Sequence, residues 1–564
     1  MTERNNTVER RAPYVLLVLL LASCSDEPIA VEESSLVFTD ISLEAGLADF
    51  RHTNGGFGEA LAPEIVGGGG GFVDYDSDGL VDIVLVGGGA FEEFPVAGPA
   101  LRLYRNLGMG RFEEVTEESG LWLFRTYGFG VTAGDYDNDG DQDLFLTTLY
   151  SDLLLRNDDG VFVEAAREAG IGAIKEWSTS ALFFDADLDG YLDLYVGTYV
   201  DWSPEKDQYC GFEGEKVYCT PELYDGIWGR YWHNNGDGTF TERTAESGFT
   251  SGIDAVRDKT LGVAELDADS DGWPDLVIAN DTERDLLFVN NGDGTFTEFG
   301  IRSGIAFDQH GKPRAGMGID VGVVDATGEQ SVFVGNFSGE TVGVYRHTGN
   351  GLFIDRAAVS RIGRPTMKTL TFGLFLFDVD LDADLDLFIA NGHVQTHIEH
   401  IVEGITFRQL PQLFLNDGRG FFEELMQNRG ILARKLVGRG AAYADIDRDG
   451  DLDVLVTENN GSAHLWRNDV TEGHWLRVTL EGRISNRDGY GTQVEVFTGG
   501  TSQVRRVRSG SSYLSHSDPA AVFGLGALER VDSLRVDWPS GIVDRFELLD
   551  ADRHVHVIEG STIQ

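Results

Sequence analysis

The chain has 564 residues, 24% of them charged, and its 94 Asp plus Glu against 44 Lys plus Arg give a formal net charge of −50 at pH 7. An acidic excess of that size argues against nucleic acid as a partner and against attraction to an anionic membrane surface. It is also uneven: residues 471–564 hold 10 Arg against 13 Asp plus Glu, so nearly all of it lies upstream.

At the N-terminus, Arg10 and Arg11 precede the apolar run Val15–Leu21, which is too short to span a bilayer and reads as an export signal. The run ends in Leu21-Ala22-Ser23-Cys24, which resembles a bacterial lipobox. That resemblance implies a signal peptide over residues 1–23, lipid modification of Cys24, and a place in the bacterial envelope, outer-membrane-anchored given Ser25, or secreted. The alternative is ordinary signal-peptidase cleavage near Ser23. Residues 24–35, acidic and without strand pattern, read as a tether.

From Phe38 onward two signatures alternate. One is a phenylalanine followed eight residues later by a glycine: Phe38 and Gly46, Phe112 and Gly120, Phe162 and Gly170, Phe240 and Gly248, Phe296 and Gly304, Phe422 and Gly430. It follows runs such as Leu103-Tyr104-Arg105-Asn106. The other is acidic, and its clearest copy is Asp135-Tyr136-Asp137-Asn138-Asp139-Gly140-Asp141-Gln142-Asp143. Carboxylates at relative positions 1, 3, 5 and 9, a glycine at 6 and a carbonyl at 7 form a ligand order for a hard cation, calcium above all. Two unit charges 4 Å apart repel by about 4 kcal/mol at an effective dielectric near 20, so four converging carboxylates call for a cation among them.

The same ligand set recurs as Asp74, Asp76, Asp78 and Asp82; as Asp185, Asp187, Asp189 and Asp193; and as Asp267, Asp269, Asp271 and Asp275. Asp378, Asp380, Asp382 and Asp386, then Asp445, Asp447, Asp449 and Asp453, complete six copies with Asp135, Asp137, Asp139 and Asp143. One structural calcium in each is expected. A seventh copy is eroded to Val323, Asp325, Thr327 and Ser331 around Gly328, and is expected to fold like the others without holding a metal. Ala383 replaces the position-6 glycine of the 378–386 copy and puts its affinity in question.

First ligand positions at 74, 135, 185, 267, 323, 378 and 445 set a period that suits four short strands and their turns. The intervening text is β-branched and aromatic runs bounded by Gly, Asn and Asp, which is strand and hairpin. The expectation is an all-β chain: a seven-bladed β-propeller over residues 36–470 with calcium-binding hairpin loops, followed by a small C-terminal β-sandwich or barrel over 471–564. The array opens on the Phe38–Gly46 half-unit and ends at Leu465-Trp466-Arg467-Asn468, so the first strand is expected to complete the last blade and hide two sheet edges. An EF-hand is excluded, because helical patterns do not flank the loops and position 12 is not glutamate. Gly67–Gly71 leads into an acidic loop and not a helix, which sets aside a dinucleotide turn.

The longest repeat carries an insertion at about 201–230. With Cys24 assigned to lipid, Cys210 and Cys219 remain as an even pair in an oxidising compartment, and a disulfide between them is expected. Trp202, Tyr209, Tyr218, Tyr224 and Trp228 surround the pair, either as a ligand-gripping surface or as a self-packed cap.

Gly128-Phe129-Gly130 before Asp135 and Phe372-Gly373 before Asp378 make the repeats similar to the FG-GAP repeats of integrin-alpha-type propellers. Past residue 470, Asn486-Arg487-Asp488-Gly489-Tyr490-Gly491, Ser509–Ser515, Phe523-Gly524-Leu525-Gly526 and Trp538-Pro539-Ser540-Gly541 resemble an ASPIC/UnbV domain. This pairing resembles the layout of the cartilage acidic protein family and its bacterial relatives. Alternation at Leu476, Val478 and Leu480, and at Leu534, Val536 and Trp538, reads as half-buried strands. The basic cluster Arg505, Arg506 and Arg508 reads as a solvated strand face, with pairing to the acidic repeats or to an anionic ligand as alternatives.

Catalytic arrangements do not stand out. A G-x-S-x-G elbow, an H-E-x-x-H pair and a P-loop are all missing, and His393 and His516 are isolated. The reading is a non-enzymatic calcium-binding adhesion or binding module that takes an extracellular protein or glycan and reaches the membrane through its lipid. A polysaccharide-active enzyme using the central face and an envelope assembly factor are the alternatives.

Overall fold

The computed structural model describes residues 1–2, 37–56, 58–89, 98–172, 175–250, 257–426 and 429–561. The signal segment, Cys24 and the tether thus lie outside the described residues. Residues 36–564 form one compact unit.

Among the described residues, seven antiparallel four-stranded sheets lie between Phe38 and Asn468. In the second, the strands are Gly128–Gly134, Asp143–Thr148, Leu153–Asp158 and Val161–Glu164, hydrogen-bonded in that order. The first two are buried along their whole length, whereas only Phe162 of the last is buried. Inner strands therefore read as continuous apolar runs and outer ones as lone apolar residues among polar ones.

The inner strands pack against one another in sequence order, Gly70–Val73, Gly128–Gly134, Ser178–Phe184, Thr260–Leu266, Gly316–Val323, Thr371–Phe377 and Gly438–Ala444, and the last packs on the first. Backbones come very close near the axis. A β-carbon on Gly318 would lie 2.0 Å from the carbonyl oxygen of Phe372 on the next inner strand, which is why a glycine follows the aromatic or Met there. Phe38–Asp40 pairs antiparallel with Ala463–Asn468, Phe38 opposite Asn468, so the N-terminal strand completes the last sheet. Phe72, Tyr104 and Phe112 of the first sheet share a buried cluster with Ala442, Leu455 and Leu465 of the last.

The eight-residue Phe–Gly spacing also acquires a cause. Phe112, Phe162, Phe240, Phe296 and Phe422 lie at or next to the start of an outer strand and donate their N–H to the turn of the preceding sheet, as Phe162 does to Ser119 (2.9 Å) and Phe240 to Ala169 (2.7 Å).

The C-terminal strands form two sheets. His474–Glu481 lies between Ala521–Gly526, antiparallel, and Arg553–Ile558, parallel. The second sheet runs in the order Thr501–Arg506, Gln493–Thr498, Arg530–Asp537, Val543–Asp550. Leu476, Val478, Val494, Val496, Leu534 and Val536 fill a shared core, so the described strands form a two-sheet sandwich and not a closed barrel. That core is continuous with Tyr136, Phe145 and Phe183 of the ring.

Between the two C-terminal sheets the chain leaves the sandwich and runs into the ring. Ser512 exchanges backbone hydrogen bonds with Ile319 (2.6 and 3.0 Å), Leu514 accepts from Val131 N–H (3.3 Å), and His516 accepts from Phe72 N–H (2.9 Å). The exposed edges of several inner strands are thereby satisfied by Ser509–Ser517, which occupies the axis.

Candidate metal centres and the loop-bearing face

Each acidic loop joins the first and second strand of its sheet, and its carboxylates divide into two kinds. Those at positions 1 and 9 build the loop. Asp135 accepts from the N–H groups of Asp139 (3.0 Å) and Gly140 (2.8 Å), one oxygen each, and this pattern recurs at Asp74, Asp185, Asp267 and Asp378. Gly140 makes the turn at φ +106°, a region open to glycine at little cost. Asp143 accepts from Tyr136 N–H (3.2 Å) and Asn157 N–H (2.7 Å) and is fully buried. Burial pushes it up to about 9, with Asp137 and Asp135 adding like-charge repulsion. Asp82 and Asp275 rise to about 8 for the same reasons.

Positions 3 and 5 lean into the loop. Oxygens of Asp74, Asp76 and Asp78 lie within 4.8 Å of one another, as do those of Asp135, Asp137 and Asp143, of Asp185, Asp187 and Asp189, and of Asp267, Asp269 and Asp271. Asp137, Asp187, Asp380 and Asp447 each keep a buried oxygen without a hydrogen-bond donor. Asp445 is 2% exposed and neither of its oxygens has a donor. Buried anionic oxygens without donors are costly unless a cation meets them. The oxygen-only donor set suits calcium, so the residues present fit such an ion.

Three features of these loops were not foreseen. First, the asparagine that ends each Leu-x-Arg-Asn-type run fastens one sheet to the one before it. Asn106, Asn157, Asn234, Asn290, Asn416 and Asn468 donate side-chain N–H to Ile446, Tyr75, Tyr136, Ala186, Val324 and Val379 carbonyls of the preceding loop, at 2.8–2.9 Å. The Asn106–Ile446 bond spans the closure of the ring. The signal was in the sequence, as the final letter of six of the seven repeats, but its partner was not. Second, His233, just before Asn234, places Nδ1 3.1 Å from Asp193 and 3.7 Å from Asp187, bringing an imidazole to two carboxylates of the third loop. Third, in the eroded loop Arg346 pairs with Asp325, and His347, standing where the asparagine would be, bonds Glu329 at 2.5 Å. A guanidinium thus supplies positive charge beside Asp325, the one carboxylate remaining among the ligand positions. Ala383 holds φ +88° and still donates to Asp378 (3.0 Å), so the 378–386 turn persists without glycine.

Two readings of the sequence need correction. Arg506 bonds Glu265 at 2.9 Å, Arg508 pairs with the buried Asp320, and Arg505 stacks over Phe523 with 5.3 Å to the ring centre. This strand therefore faces the acidic ring instead of solvent. In the insertion, Cys210 and Cys219 are joined by a disulfide. Trp202 and Tyr224 are buried in a core with Trp177 and Tyr199, so they cannot stack on a ligand. Their apolar area is better removed from water than left on a short loop. Trp228 is half-buried, and Tyr209 is 71% exposed. Tyr218 donates to Glu64 (2.9 Å) and lines a recess of 340 Å³ with Asn54, Lys216, Gln395 and Asn460.

A ring of four-stranded sheets with acidic loops between inner strands is thus joined to a two-sheet domain. Residues 74–146, 135–196 and 267–328 match the FG-GAP-like repeat, and residues 482–564 match ASPIC and UnbV. The chain is similar to cartilage acidic protein 1 of Homo sapiens, 25% identical over 472 residues that cover 73% of this chain and 69% of that protein. The Mus musculus protein is 25% identical over 508 residues, covering 83% and 70%, and that of Xenopus tropicalis is 23% identical over 475, covering 73% and 70%. Among solved structures, an Agrocybe aegerita lectin described as recognising non-reducing terminal N-acetylglucosamine aligns with TM-score 0.38 and 14% identity over 76% of this chain and 92% of that one. BBS1N in complex with ARL6DN aligns with TM-score 0.40 and 11% identity over 77% and 97%.

Proposed function

We propose that the chain is an extracytoplasmic, non-enzymatic binding or adhesion protein: a seven-bladed propeller held by structural calcium in its six acidic loops. The observation that carries this reading is the set of buried loop oxygens without donors, Asp445 above all. Calcium supplies the positive charge and oxygen coordination that these carboxylates lack, and its binding free energy adds to folding. The FG-GAP-like repeats and the similarity to cartilage acidic proteins support a location outside the cytoplasm. Anchoring through lipid at Cys24 in a bacterial envelope belongs to the same reading. The partner would be an extracellular protein or a glycan. The axis that a central-face enzyme would use is filled by Ser509–Ser517, which favours binding over catalysis.

Metal content by mass spectrometry, paired with thermal melting in calcium and in chelator, tests the reading. Bound calcium and a melting temperature that falls on chelation are expected. A chain that retains no ion and melts identically in both would overturn it. A glycan array run in calcium and again in chelator then addresses the partner.

A further inference from the structure

The C-terminal domain does not merely sit beside the acidic loops; it bonds to them. Asp488 accepts the N–H of Asp135 (2.8 Å), the first ligand of the second loop, and its other oxygen accepts from Gln142 in the same loop. Gly524 N–H donates to the Asp378 carboxylate at 3.1 Å, and Gly526 N–H to the Leu381 carbonyl at 2.9 Å, both in the sixth loop. At the third loop, a β-carbon on Gly190 would come 2.5 Å from the Ile484 carbonyl oxygen. At the last, one on Gly450 would come 2.0 Å from the Trp475 ring. Asp488 thus brings one more carboxylate to a loop that already holds five, with Arg487, 3.7 Å from Asp135, as the nearby cation. A cleft of 530 Å³ reaches Asp74, Asp135, Gln142 and Asp488 from outside.

From these contacts we propose that cation loading of the acidic loops and seating of the 471–564 domain on the ring are one coupled equilibrium, with Asp488 and the Gly524–Gly526 end of the strand Ala521–Gly526 as the coupling contacts. The proposal rests on the calcium reading above. Unloaded, four like charges repel within each loop and push apart the backbone that presents Asp135 N–H and the Asp378 carboxylate. Loaded, the loop holds both in the places where Asp488 and Gly524 meet them. The added negative charge of Asp488 also costs less beside a loop whose charge is partly cancelled. Linkage makes the effect reciprocal: whatever factor loading contributes to seating, seating contributes to ion affinity.

Hydrogen–deuterium exchange on the full chain, in calcium and in chelator, reads the coupling without any mutation. Exchange over 484–491 and 521–526 should rise at least about fivefold on chelation, while the inner strand Gly128–Gly134 changes less. In parallel, calorimetric calcium titration of Asp488→Ala should show one site weakened at least about fivefold and the others unchanged. Glu472→Ala, on the exposed connection, serves as the control. If ions bind but 484–526 exchanges alike in both conditions, the coupling is wrong and the calcium reading stands. If no ions bind, the calcium reading itself fails.

Discussion

Replacing Asn157 with alanine removes the fastening between the first two sheets. Its side chain is fully buried and makes three hydrogen bonds: to the Tyr75 carbonyl of the first loop (2.8 Å), to the Gln142 carbonyl of its own loop (3.1 Å), and from Gly160 N–H (2.7 Å). The backbone bond from Asn157 N–H to Asp143 survives the change. A buried polar group left without its partner costs about 1–3 kcal/mol, so losing both carbonyl contacts predicts a destabilisation of about 3–4 kcal/mol. The assay is urea unfolding in calcium and again in chelator, followed by tryptophan fluorescence. Because the fastening uses carbonyls and not loop carboxylates, the loss should be of similar size in both. Asn157→Asp keeps the acceptor for Gly160 but loses both donors and adds charge beside Asp143, so it should be at least as damaging, most of all in chelator. A loss under about 0.5 kcal/mol for Asn157→Ala in both conditions would refute the fastening role, since that is the ordinary range of a surface change.

Ala383→Gly relieves a β-carbon held at φ +88° and should stabilise the protein by about 0.5–1 kcal/mol in a thermal melt; a neutral or lower melting temperature counts against strain there. Arg346→Ala removes the cation that Asp325 has in the eroded loop, so the melting temperature should fall by the same amount with calcium and with chelator. A fall confined to one condition would contradict a built-in cation. His516 is fully buried on the axis and is lowered to about 4 by burial. As pH drops below about 6.5 the unfolded chain takes up a proton there that the folded chain excludes until about 4, so stability falls across that window by up to about 1.4 kcal/mol per pH unit. His516→Gln should flatten the fall in denaturant midpoints between pH 7 and pH 5; an unchanged slope would contradict it.

What the sequence made legible was whatever a local spacing dictates. An acidic loop of this kind keeps its carboxylates at fixed offsets along one short segment, so all six copies could be read directly, as could the pairing of the first strand with the last sheet from the way the repeat is cut. Partners far apart along the chain left no such trace. Arg506 ends a strand with the ordinary look of a solvated face and Arg508 follows just beyond it, and only the fold brings Glu265 and Asp320 to them. The Asn157 amide reaches Tyr75 for the same reason. In the insertion, aromatic content was legible but its direction was not: whether Trp202 faces a ligand or a core depends on Trp177, which lies outside the insertion.

The fifth sheet shows how these fastenings relate to one another. It has His347 in place of the asparagine and Asp325 as its single loop carboxylate among the ligand positions, so it lacks both the amide fastening and the full acidic loop. Two other contacts converge on it. Arg346 neutralises Asp325 from within the sheet, and the C-terminal domain bonds its inner strand directly, through the paired Ser512–Ile319 backbone bonds and the Arg508–Asp320 ion pair. Asp320 is fully buried, so Arg508 there holds a charge that would otherwise stand unpaired in the interior. The sheet that lacks an asparagine fastening of its own is thus one that the C-terminal domain grips with both backbone and charge. A ring built in this way need not be uniform: where one acidic loop is eroded, a guanidinium and the C-terminal domain supply charge and backbone contacts to that sheet.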